Sequence, residues 1–145
     1  MKTQNINSTG RLQKALVGAA ILALATVVWG DDLTGEDEFL CATATVVVCA
    51  DNGTCASATP WELNVPQFIA VDLDKSSLAT TEASGERRET TVDTVKRING
   101  RIYLQGVDRG RAYSFVINVA SGFMTVAVAR DDLTVTVFGA CTPTP

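Results

Sequence analysis

The cysteines are the residues whose type and spacing specify chemistry most directly. Cys41, Cys49, Cys55 and Cys141 form an even set. In a chain that also reads as exported, oxidation to two disulfides is the expected fate of such a set. Four cysteines allow three connectivities, and strand geometry chooses among them. Cys49 and Cys55 flank Ala-Asp-Asn-Gly-Thr. A three-residue loop Asp51-Asn52-Gly53, with Gly53 left-handed, pairs Ala50 with Thr54 and sets Cys49 opposite Cys55. If the first strand lies antiparallel to the last, Cys41 at the start of one meets Cys141 at the end of the other. The expected bonds are therefore Cys49–Cys55 and Cys41–Cys141. The rival chemistry is zinc, but C-x7-C-x5-C with a distant fourth cysteine fits no common zinc spacing. No metal site is expected.

Little else here could do chemistry. The chain has no histidine, which removes the commonest general base and the commonest metal ligand. Ser114 and Ser121 then lack an activating partner. Asp31-Asp32 and Asp131-Asp132 are adjacent carboxylates, and such pairs serve turns and termini. Acid–base carboxylates instead face each other across a cleft. Gly106, Gly110 and Gly122 are spaced for turns, not for a phosphate loop opening a helix. Asp72 and Asp74 are not followed by a calcium-loop pattern. The sequence predicts neither an enzyme nor a bound cofactor.

The basic residues are concentrated. Arg87, Arg88, Lys96, Arg97, Arg101, Arg109 and Arg111 fall within one stretch, opposed between 87 and 111 only by Glu89, Asp93 and Asp108. If these segments are neighbours in a sheet, Arg87, Arg88, Arg97, Arg101, Arg109 and Arg111 form a candidate surface for an anionic partner. The plainer reading is a solvated face with local ion pairs.

The elements that must position these groups are strands. In 111–119, Tyr113, Phe115, Ile117 and Val119 alternate onto one face. In 123–130, Met124, Val126 and Val128 do the same, and 133–137 repeats the pattern. Such period-2 alternation of β-branched residues marks strands with one buried face. Further strands are expected at 39–49, 67–73, 77–80, 92–98 and 102–104. Asn99-Gly100 is a type I′ hairpin signal that sets Val95 opposite Leu104 and Arg97 opposite Ile102. The polar stretch 81–91 reads as an exposed loop or projecting strand ends. Trp61, in the turn-rich segment 56–66, is expected to cover one end of the core, with a binding surface as its other use. No amphipathic helix is expected beyond residue 30. The fold class is all-β: an antiparallel meander of about seven or eight strands, as a small closed or partly open barrel tied by disulfides.

Residues 1–30 read as an export leader. Lys2, Arg11 and Lys14 precede an uncharged apolar stretch, 15–28, that suits a signal peptide and is short for a membrane span. Cleavage after Gly30 or after Ala25 fits, with an uncleaved anchor as the alternative. Residues 31–38 hold five acidic groups and read as a loose, solubilising arm. The β domain is expected over 39–142, with 143–145 as a tail. The net charge of −4 becomes −7 once the three basic leader residues are removed. That balance argues against nucleic acid as a partner. No second apolar run of spanning length occurs, so no stable membrane insertion is expected after cleavage.

The segments Phe39-Leu-Cys41, Cys49-x5-Cys55, Gly100-Arg-Ile-Tyr-Leu-Gln-Gly106, Arg111-Ala-Tyr-Ser-Phe115 and Phe138-Gly-Ala-Cys141-Thr together resemble a group of small exported proteobacterial proteins of unknown function. The shared features are cysteines and turn glycines, so the resemblance implies architecture and no activity. A looser similarity is to small periplasmic lysozyme-inhibitor barrels, in which a disulfide also ties the two ends together. Only Ala83-Ser-Gly85 is comparable with their Ser- and Gly-rich inhibitory loop.

These readings converge on a periplasmic or secreted binding module of the cell envelope. In its sharpest form it inhibits an envelope or secreted enzyme, with 81–91 and Arg109 to Arg111 as contact surfaces. The alternative is a small-ligand carrier in which Leu104, Tyr113, Phe115, Ile117, Val126 and Val128 line a cavity.

Overall fold

A computed structural model describes residues 30–85 and 87–144. The predicted leader, apart from Gly30, lies outside the described residues. Ten strands follow in order: β1 Glu38–Ala50, β2 Cys55–Ala58, β3 Phe68–Asp72, β4 Ser77–Thr80, β5 Glu89–Thr91, β6 Thr94–Ile98, β7 Arg101–Asp108, β8 Arg111–Asn118, β9 Phe123–Ala129 and β10 Leu133–Pro143. Every described ladder is antiparallel, and the lateral order is β5-β4-β3-β1-β10-β9-β8-β7-β6, with β2 added to the far half of β1. The sheet curls into a half-barrel.

The outer strands β5 and β6 do not pair with each other, yet they are consecutive in the chain. Val92 N–H bonds Ser76 O on one side, and Asp93 N–H bonds Gln105 O on the other, at 2.8 and 2.9 Å. Two adjacent residues thus transfer the chain from one edge of the sheet to the opposite one. The expected strand at 92–98 begins only at Thr94, after this transfer, and the strand-end option for 81–91 materialises as β5.

Local chemistry accounts for the hairpins. Asn99 and Gly100 both take positive φ (50° and 71°), as a type I′ turn requires, and Val95–Leu104 and Arg97–Ile102 are paired. Gly53 at φ 80° closes the other short hairpin, with Ala50 N–H donating to Thr54 O at 2.9 Å. That register places Cys49 beside Cys55, and β1 against β10 places Cys41 beside Cys141; both disulfides form.

β1 carries a bulge at Ala44, where the register against β10 shifts between Thr43 and Thr45. A bulge exchanges the faces of all residues beyond it. Phe39, Cys41 and Thr43 point inward before it, and Val46 is the buried residue after it. One long strand can therefore serve both halves of the concave face.

The packed half holds Phe39, Cys41, Ile102, Leu104, Ile117, Met124 and Cys141, all at most 2% exposed. Leu33 joins them at 0%. The expected loose arm is in fact docked: Leu33 N–H bonds Val119 O at 2.7 Å, and Asp31 N–H bonds Cys141 O at 3.2 Å. Arg97 reinforces it with a 2.9 Å ion pair to Asp37 and a hydrogen bond to the Glu36 carbonyl. Of the expected tail, Pro143 belongs to the sheet as the last residue of β10. Trp61 departs from expectation most. It sits on the short 3-10 turn Pro60–Leu63 with 77% of its surface exposed and covers no core.

Candidate functional site: an apolar cleft with an arginine rim

The unpacked half of the concave face is a cleft of about 360 Å³. Its floor is supplied by inward positions of the closing strands: Tyr113 and Phe115 of β8, Val126 and Val128 of β9, and Val135 and Val137 of β10. Leu78 of β4 and Val48 of β1 continue the wall, and Leu63, Asn64, Val65 and Pro66 border it. The same alternation that fills the packed half with Ile117 and Met124 brings these side chains to the cleft, where Phe115, Val126 and Val137 are themselves buried, at 4–5% exposed. A second depression of about 490 Å³ includes Asp93, Gln105, Val107 and Ala129. It is shallow and open, and among its described lining residues only Asp93 is charged. The first cleft is therefore the better-formed site.

Tyr113 holds one side of the cleft. It stands opposite Gly106 on β7, and any Cβ there would collide with the Tyr113 ring. The missing side chain is what gives the phenol its place. From there the hydroxyl donates to Thr91 O on β5 at 2.7 Å, and the ring meets Phe115 edge-on at 5.9 Å. This bond links the β8 side of the half-barrel to β5. Burial first, and then the charges of Asp93 and Asp108, push the Tyr113 phenol above its ordinary value. The neutral phenol is the form the fold favours. Its contribution is intact below the unfolded value of about 10 and is lost as pH rises through the higher folded value. In a Tyr103→Phe variant, the remaining phenolate absorbance should appear at higher pH in the folded protein than in urea. Coincident titrations would contradict this environment.

Cations border the cleft. Arg88, Arg111 and Arg130 line it, with Asp108 as the one described acidic lining residue. Arg111 reaches Asp108 at 3.6 Å, and Arg130 grips Asp132 through two bonds of 2.8 and 3.1 Å. The Arg130 interaction raises the guanidinium pKa and holds the Asp132 carboxyl below the usual range. Arg88 has its backbone fixed to Thr80 in both directions: Arg88 N–H donates to the Thr80 hydroxyl at 2.7 Å, and Thr80 N–H donates to Arg88 O at 2.8 Å. Its side chain has no such attachment, and its buried Nε finds no hydrogen-bond partner.

The six arginines singled out by sequence do not form one surface. Arg97 and Arg101 stand at the packed end. Arg109 and Arg111 lie across the eight-residue strand β7, about 25 Å away at ~3.3 Å per residue. Arg87 faces solvent and pairs with Glu82 at 3.2 Å. Arg109 occupies the left-handed position of the β7–β8 turn, with φ 49°. Only Arg88 and Arg111 of the six reach the cleft, where Arg130 joins them. Of the residues expected to line a cavity, Tyr113, Phe115, Val126 and Val128 do so, whereas Leu104 and Ile117 belong to the packed half. The two expected contact segments, 81–91 and Arg109 to Arg111, meet at one cleft because Arg88, Thr90 and Arg111 all line it.

Among the described residues no helix is long and apolar enough to cross a membrane. No family model, curated protein or solved structure matches this chain.

Proposed function

We propose that this chain is an exported binding protein whose half-barrel cleft takes a small, largely apolar ligand. The supporting observation is the cleft itself. About 360 Å³ stays open beneath a wall of valines and aromatics, while the other half of the same sheet is fully packed. That volume lies within the usual range for small-molecule sites, and a few polar groups at an apolar cleft are their common signature. The two disulfides point to an oxidising compartment outside the cytoplasm. The leader narrows this to the periplasm or the exterior.

Mass spectrometry under native and then denaturing conditions tests the reading on protein taken from its own compartment. The expected result is a small adduct that disappears on denaturation. The denatured chain should begin at Asp31 and lack four hydrogens. A bare chain under gentle conditions would count against a tightly held ligand. A second reading, contact with an envelope or secreted protein, draws on exposed Trp61 and Leu63 beside the cleft. A co-purifying protein in place of the small adduct would favour it.

A further inference from the structure

We infer that the cleft selects amphipathic anions: Arg88 receives a single negative head group, and the valine wall of β9 and β10 receives an apolar body. This rests on the cleft being the binding site. Arg111 is partnered by Asp108 and Arg130 by Asp132. Among the described residues, Arg88 is the cleft cation with no counter-charge, and its Nε is shut off from solvent without a hydrogen-bond acceptor. A desolvated donor on a cation is costly unless an acceptor arrives, and an anionic acceptor offsets the most.

The whole-molecule charge sharpens the point. A chain of net charge −4 does not gather anions by its overall field, so any preference for them must arise locally. The fixed Arg88 backbone supplies that locality, because its two bonds to Thr80 set where the guanidinium begins. Size limits the ligand as well. A volume of about 360 Å³ accommodates roughly a dozen groups of water size, at ~30 Å³ each. A ten-carbon carboxylate has that many non-hydrogen atoms.

The test is calorimetric titration of the oxidised protein with decanoate and with 1-decanol, which share a tail and differ in charge. Decanoate should bind roughly 10- to 100-fold more tightly than 1-decanol, the range of one charged hydrogen bond. Arg88→Gln should abolish that gap by weakening decanoate alone, and Arg88→Lys should keep part of it. Unchanged 1-decanol affinity shows that the glutamine variant is folded. Equal affinities in the parent protein, or a gap that survives Arg88→Gln, would overturn the inference and leave the apolar-cleft reading standing. If neither compound binds, the cleft reading itself falls and carries the inference with it.

Discussion

Replacing Cys41 and Cys141 together by alanine is expected to cost about 4 kcal/mol of stability. Their bond closes a loop with a sequence separation of 100, and the chain-entropy account gives ~4–5 kcal/mol for a loop of that length. Both residues are also buried at the junction of β1 and β10, the central pair of the sheet, so their removal loses packing as well. For a domain of this size the melting temperature should fall on the order of 15–25 °C. The matching Cys49→Ala, Cys55→Ala double variant is the control. Its loop has a separation of 6, and Cys55 lies exposed on β2, so a loss of about 2 kcal/mol is expected. Thermal melts followed by circular dichroism read both. Equal losses in the two variants would show that loop length does not govern these bonds.

Leu33→Ala should rank next, at about 2–4 kcal/mol. The side chain is fully buried against the packed half, and a Leu-to-Ala change there removes the transfer energy and leaves a void. The ceiling is set by the arm's own docking. If the cavity costs more than the arm gains by binding, the arm detaches and the loss stops there. Native-state hydrogen exchange separates the outcomes. The Leu33 amide, bonded to Val119 O, should lose protection in the variant, while amides between β1 and β10 should open only with global unfolding. A variant as stable as the parent would mean that the arm contributes no core.

These two cases mark where sequence reasoning succeeds and where it stops. The Cys49–Cys55 bond and the Asn99-Gly100 hairpin were legible because turn chemistry and period-2 alternation are local, whereas Cys41–Cys141, 100 residues apart, followed only on the premise that the first and last strands pair. Leu33 was not legible, because one apolar residue among five acidic neighbours carries no periodic signal. Trp61 misled for the opposite reason: size and apolarity argue for burial, but a short turn placed it outside the curl. The cleft was only half legible. Alternation tells which side chains point inward, as it did for both Phe115 and Ile117. Whether anything packs against them depends on the Ala44 bulge, the docked arm and the curl of the whole sheet, which are long-range matters. For the same reason the arginine cluster, compact in sequence, is divided between the two ends of β7.

The transfer of the chain from β5 to β6 leaves these strands at the two ends of the lateral order, each with a free border, and borders are where sheet proteins aggregate. An intruding strand finds only three residues to pair with at β5. At β6 it meets Lys96 and Arg97 side by side, both exposed. Each border is thus poor soil for fibril growth, one through brevity and the other through charge. A fold that keeps its concave face open can do so while the two ends of its strand order offer little to other copies of itself.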